Sequence, residues 1–102
     1  MKLLIVDDEP LVRVGIKTIL QVNDEGFDIV GEAGDGEKAL ELARKLKPDI
    51  ILVDIRMPVM NGLDFIAEAK KDLTSSKFII LSCLNEFEYA RAAMKLGVTD
   101  YI

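Results

Sequence analysis

The sequence predicts an α/β domain, an open, doubly wound parallel sheet of five strands with helices on both faces. Three observations carry that prediction. Leu3-Leu4-Ile5-Val6, Ile50-Ile51-Leu52-Val53 and Phe78-Ile79-Ile80-Leu81 are short continuous apolar runs, the pattern of strands buried on both faces. Between them lie segments whose apolar residues recur at helical spacing. At 102 residues, half of them hydrophobic, the chain suits one domain with one core.

Each element follows in order. Pro10 sits where a first helical turn begins, since its missing N–H costs nothing there. Val12, Ile16, Ile19 and Leu20 then give that helix one apolar face. The stretch 23–27 reads as a polar turn, and Ile29, Val30 and Ala33 as a second strand. Asp35-Gly36 breaks the chain before Ala39, Ala43 and Leu46, a second helix that Pro48 ends. After the third strand and the Asn61-Gly62 turn, Leu63, Ile66, Ala67 and Lys70 fit a third helix. Phe87, Ala90 and Met94 mark a fourth, stopped at Gly97 by a left-handed cap, with a fifth strand over 98–102.

Composition excludes several chemistries. The chain has no histidine, so Ser-His-Asp triads, histidine general bases and His-dependent zinc sites cannot form. Its one cysteine, Cys83, allows no internal disulfide and reads as packing. A net charge of −5 argues against this segment gripping nucleic acid. No apolar run approaches the ~20 residues of a membrane helix, and Leu3 to Val6 is too short for a signal-peptide core. These features predict a soluble, cytoplasmic domain without membrane or nucleic-acid contacts of its own.

Open parallel sheets bind ligands at the carboxyl ends of their strands, where the strand order reverses. Asp7 and Asp8 directly follow the first strand and Asp54 the third. In the order 2-1-3-4-5 those strands are neighbours at the reversal, and three carboxylates converge. Like charges ~4 Å apart repel by about 4 kcal/mol at an effective dielectric of ~20. Either one carboxyl keeps a proton or a divalent cation sits among them. Oxygen-only ligands favour a hard ion, Mg²⁺ foremost. Glu9 is assigned to the helix N-terminus. Ser82, at the end of the fourth strand, either hydrogen-bonds an anion held over the metal or satisfies local backbone. The glycines at 31, 34 and 36 have the wrong spacing for a phosphate loop and read as turn residues.

Val6-Asp7-Asp8-Glu9-Pro10, Val53-Asp54-Ile55-Arg56-Met57-Pro58 with Asn61-Gly62, and Leu81-Ser82 resemble, over the whole chain, the receiver domain of two-component response regulators. The resemblance implies a flavodoxin-like 2-1-3-4-5 sheet and a receiver over residues 1–102. It implies that Asp54 accepts a phosphoryl group from a sensor histidine kinase. Asp8 and Asp54, the Arg56 carbonyl and Asp7 through water would hold Mg²⁺. Ser82 would hydrogen-bond the phosphoryl group, and Tyr101 would be the switch aromatic. Phe87, Tyr89, Met94 and Tyr101 lie on the face through which such regulators dimerise or bind targets. Residues 85–90 and 94–98 resemble receivers joined to AraC-type helix-turn-helix output domains, which implies a DNA-binding output on the same parent chain. The family's fifth helix, and its lysine after the fifth strand, would fall beyond Ile102. An aspartate-nucleophile phosphatase of the haloacid dehalogenase type is disfavoured, because Arg56 stands where its second Asp belongs.

Overall fold

The computed structural model describes residues 1–23, 26–55, 57, 59–81, 97 and 100–101, with the backbone alone at Asn23, Asp100 and Tyr101. Five strands and three helices lie in that set: β1 (Lys2–Val6), α1 (Pro10–Asn23), β2 (Asp28–Ala33), α2 (Gly36–Leu46), β3 (Ile50–Asp54), α3 (Gly62–Ala69), β4 (Lys77–Leu81) and β5 (Asp100–Tyr101). The fourth helix expected from Phe87, Ala90 and Met94 falls outside the described residues. Gly97, its expected cap, has the left-handed φ of 77° that a C-cap glycine adopts.

The strands form one parallel sheet, as the alternating pattern predicts, in the order β2-β1-β3-β4-β5 that the family resemblance implies. Leu3, Leu4, Ile5 and Val6 are all buried, as a strand with neighbours on both sides and layers on both faces must be. β2 at the edge is half-buried along most of its length. Its register against β1 shifts between Leu3 and Leu4, which face Ile29 and Gly31.

The main core lies between one sheet face and helices α2 and α3. Leu4, Val6, Ile51, Val53, Phe78 and Ile80 meet Ala39, Leu40, Ala43, Phe65, Ile66 and Ala69 in one cluster. Phe65 and Phe78 pack edge to face, 6.2 Å between centroids. Burying each such ring is worth about 1.5–3 kcal/mol, plus about 0.5–1.5 kcal/mol for the aromatic contact. On the opposite face Leu3 and Ile5 are buried, while Leu52 and Ile79 are half-buried.

Local chemistry sets the helix ends. Asp35 accepts from the Lys38 amide at 2.8 Å and Asn61 from the Asp64 amide at 2.9 Å, each satisfying an amide left over in a first turn. Lys47 closes α2 in a left-handed conformation, its amide donating to the Ala43 carbonyl.

The face of α1 differs from the expectation, and that of α3 extends it. In α1, Val12, Ile16 and Leu20 are half-buried, but Ile19 points outward with Leu11, Val14 and Val22. The sheet-side positions also take Arg13 and Lys17, which pair with Glu32 on β2. Those sheet-side places are thus shared with charged residues, and Ile19 is left on the exposed side. In α3 the expected Ile66 is buried together with Phe65 and Ala69, and the expected Leu63 is partly buried against the same core. Lys70 caps the helix and places its ammonium 5.5 Å from the centroid of the Phe78 ring.

Candidate functional site

Register builds the site. Val6 pairs with Val53 across β1 and β3, so the residues that follow, Asp7 and Asp54, emerge level at one sheet edge. The strand order reverses between these two strands, where an open α/β sheet leaves a crevice. Asp7, Asp8 and Asp54 each bring a carboxylate oxygen to within 4.8 Å of the other two. Asp7 and Asp54 are buried and Asp8 is exposed, so the cluster opens to solvent on one side.

Burial holds the Asp7 carboxyl above the ordinary carboxylate range, and the charges of Asp8 and Glu9 push the same way. The Glu9 amide, donating to Asp7 Oδ1 at 2.9 Å, and the nearby Arg13 oppose that rise. At an effective dielectric of ~20, two carboxylates at this separation repel by about 3–4 kcal/mol. A compact, partly buried set of oxygens with no nitrogen or sulfur donor suits a hard divalent cation. The residues present therefore fit Mg²⁺.

The loop after β3 is gripped by two helix starts. The Gly62 amide donates to the Ile55 carbonyl at 2.7 Å and the Gly36 amide to the Met60 carbonyl at 3.0 Å. A Cβ on Gly62 would lie 2.3 Å from the Asp54 carbonyl oxygen, and one on Gly36 would lie 2.1 Å from the Met60 carbonyl oxygen. Both positions require glycine because of close backbone approach. This corrects the reading of Gly36 as a turn residue: it is the first residue of α2. Gly31 lies inside β2, its absent side chain leaving room for Leu46 and Leu4. Within the same loop Val59 holds a left-handed φ of 69°, a strained conformation for a β-branched residue.

Of the remaining expected site residues, Arg56 and Ser82 lie outside the described residues, as do Cys83, Phe87, Tyr89 and Met94. The register carries Asp54 level with Leu81, the residue before Ser82. Tyr101 lies on β5 paired with Ile80, with only its backbone described. One polar contact went unread in the sequence. Arg13 Nη1 donates to the backbone carbonyl of Asp7 while Nε donates to Glu32 Oε1. The i, i+4 pair Arg13 and Lys17 was its one local trace.

A flavodoxin-like parallel sheet with three carboxylates at its reversal point defines the class, a receiver-type regulatory domain. The family model of the response regulator receiver domain matches residues 3–102, and the chain belongs to that family. It is 42% identical over 101 residues to the transcriptional regulatory protein YdfI of Bacillus subtilis, covering 99% of this chain and 46% of that protein. It is 39% identical over 101 residues to the chemotaxis protein CheY of Thermotoga maritima, covering 99% of this chain and 82% of that one. The receiver domain of AraT, a response regulator from Geobacillus stearothermophilus, superposes with a TM-score of 0.91 at 40% identity, covering 99% of this chain and 78% of that one. The chain spans about half the length of several curated relatives it matches.

Receiver domains are phosphorylation-dependent signalling switches that regulate output domains, and they are regulatory phosphoacceptors rather than enzymes. They bind Mg²⁺ in an acidic pocket, and their phosphoryl source is a histidine kinase. Among the described residues no helix is long and apolar enough to cross a membrane.

Proposed function

We propose that residues 1–102 are the receiver part of a longer, cytoplasmic response regulator, and that Asp54 is its phosphoacceptor. The observation that carries this reading is the convergence of Asp7, Asp8 and Asp54 at the sheet edge where the strand order reverses.

Asp54 ends β3, buried and backed by the Ile51-to-Ile55 core, with its backbone held against Gly62. Its carboxylate oxygen attacks the phosphorus of a phosphohistidine on the kinase. The new P–O bond forms as the P–N bond breaks, and the electron pair leaves with the imidazole. The product is an aspartyl phosphate. Asp7, Asp8 and Asp54, with the backbone carbonyl of Arg56, would hold Mg²⁺. Bound there, the metal would offset negative charge on the attacking carboxylate and the transferring group. Asp8, on the exposed side, keeps the pocket open to the donor, while Asp7 adds charge from the buried side.

Ser82 is assigned the hydrogen bond to the phosphoryl group, and Tyr101 the aromatic that answers it. Phosphorylation adds about −1.5 to −2 charge and new acceptor oxygens at one strand end. Those contacts bias the Phe87–Tyr101 face, through which we read a homodimer or an output contact. The output would be a DNA-binding transcription regulator, of AraC type on the residues 85–90 and 94–98. Its regulatory class has support in the likeness to YdfI, a transcriptional regulatory protein.

The test is intact mass after incubation with Mg²⁺ and a small acyl phosphate, comparing the unmutated protein with Asp54→Asn. A phosphoryl adduct on the unmutated protein alone supports the assignment. An adduct on both, or on neither while the protein is folded and binds Mg²⁺, removes Asp54 from that role.

A further inference from the structure

Behind the acidic cluster lies a second polar assembly. Glu32 on β2 accepts from two cations of α1, one on each carboxylate oxygen: Arg13 Nε at 3.1 Å and Lys17 Nζ at 2.7 Å. Arg13 and Lys17 are one helical turn apart, so both reach the same carboxylate. Arg13 uses a further nitrogen, Nη1, to donate to the backbone carbonyl of Asp7. Its side chain is 20% exposed. Gly34 makes room for the guanidinium, since a Cβ there would lie 3.3 Å from Nη1.

Asp7 is thereby tethered on every side. Its amide donates to the Ala33 carbonyl at 3.0 Å, its carbonyl accepts from Arg13, and its carboxylate accepts from the Glu9 amide at 2.9 Å. The first tether extends β2, the second reaches from α1, and the third closes the turn locally. The β1–α1 turn presents both Asp7 and Asp8, so its shape decides whether their oxygens meet that of Asp54.

We propose that Arg13 is a positioning residue of the cation pocket: its guanidinium, aligned by Glu32, pins the Asp7 peptide and so sets the turn that aims Asp7 and Asp8 at the metal. The inference rests on the reading of the acidic cluster as a Mg²⁺ site. It uses a property that lysine lacks. The planar guanidinium donates in two fixed directions from separate nitrogens, whereas lysine offers one flexible ammonium without that fixed fork. Glu32 also takes up charge that would otherwise face the cation. Supporting contacts of this kind typically change metal affinity 10–100-fold when removed.

The test is a calorimetric Mg²⁺ titration of the unmutated protein, Arg13→Ala and Arg13→Lys, with metal-free thermal melts alongside. Positioning predicts that both variants weaken Mg²⁺ roughly tenfold or more, while their melts show them folded. Because Arg13→Lys retains the charge and most of the volume, it keeps the test decisive if Arg13→Ala does not fold. A charge effect alone predicts the reverse order: tighter Mg²⁺ in Arg13→Ala and unchanged affinity in Arg13→Lys. That result, or affinities within about twofold of the unmutated protein, overturns the inference and leaves the Mg²⁺ site standing. Absence of Mg²⁺ binding by the unmutated protein overturns both. A second readout separates positioning from general damage. Raising Mg²⁺ should restore the phosphorylation rate of Arg13→Lys and leave Asp54→Asn without adduct.

Discussion

The amide of Gly36, at the first turn of α2, donates to the carbonyl oxygen of Met60, 3.0 Å away in the loop that leads from β3 into α3. These residues lie on opposite sides of the third strand in sequence, yet their backbones touch with no side chain between. Six residues before Met60, Asp54 ends β3. The Gly36 contact and the matching Gly62 contact to Ile55 hold both ends of the same loop. Two helix N-termini therefore hold Ile55 and Met60, on either side of the segment that follows Asp54.

Gly36→Ala should be strongly destabilising. Its Cβ would lie 2.1 Å from the Met60 carbonyl oxygen, a backbone atom that cannot swing aside as a side chain can. Relief requires moving α2 away from the loop and losing the hydrogen bond, at a cost of about 2–4 kcal/mol. Urea unfolding of the variant checks this, and a loss below about 1 kcal/mol would contradict the close approach.

Asp7→Asn should stabilise the metal-free protein at neutral pH. Burial and the neighbouring Asp8 and Glu9 charges raise the Asp7 carboxyl above its ordinary value, so its ionised form costs stability once pH exceeds that raised value. Asn removes the charge and keeps an oxygen for the Glu9 amide. The gain is about 1 kcal/mol, or about 4–8 °C in Tm for a domain of this size. A thermal melt in chelator at pH 7 that shows a lower Tm would count against the electrostatic picture. With Mg²⁺ added the order should reverse, because the variant lacks one carboxylate.

Glu32 gives the opposite pH dependence. The Lys17 hydrogen bond foremost lowers its carboxyl from the ordinary 4.5; burial opposes it, and the Lys17 charge with the Arg13 hydrogen bond and charge carries the balance downward. A carboxylate with a depressed folded value adds stability that is complete above its unfolded value and lost as pH falls through the folded one. The stability difference between the unmutated protein and Glu32→Gln should therefore be constant near neutrality and shrink below about pH 4.5. At one-third exposure the pairs amount to no more than about 1 kcal/mol. Melts at several pH values measure this difference, and one that grew on acidification would refute the pairing.

Val59→Gly should relieve strain. Val59 is exposed, so its left-handed backbone is not repaid by burial of the side chain. Removing the Cβ recovers about 1–2 kcal/mol of left-handed strain, against about 0.5–1 kcal/mol for the freer unfolded chain. A small net gain in denaturant midpoint is expected, and a clear loss would mean that the valine side chain holds the loop.

Much of this molecule was legible in one dimension. Apolar runs at Leu3, Ile50 and Phe78 are strands because backbone buried on both faces admits no polar side chains. The three aspartates announced a shared edge because each follows or ends such a run. Capping by Asp35 and Asn61 is likewise local, a side-chain oxygen meeting an amide three residues ahead. What tertiary structure alone decided are contacts between distant segments. Spacing grouped Ile19 with Val12, Ile16 and Leu20 on one apolar face of α1, but in the packed structure Ile19 is exposed while Arg13 and Lys17 reach Glu32. Gly36 and Gly62 resemble ordinary turn glycines until a neighbouring backbone is seen within reach of their missing Cβ atoms. The hold of Arg13 on the Asp7 carbonyl also depends on how α1 lies along β2. Periodicity records which residues share a side, whereas the packing of whole elements determines what that side meets.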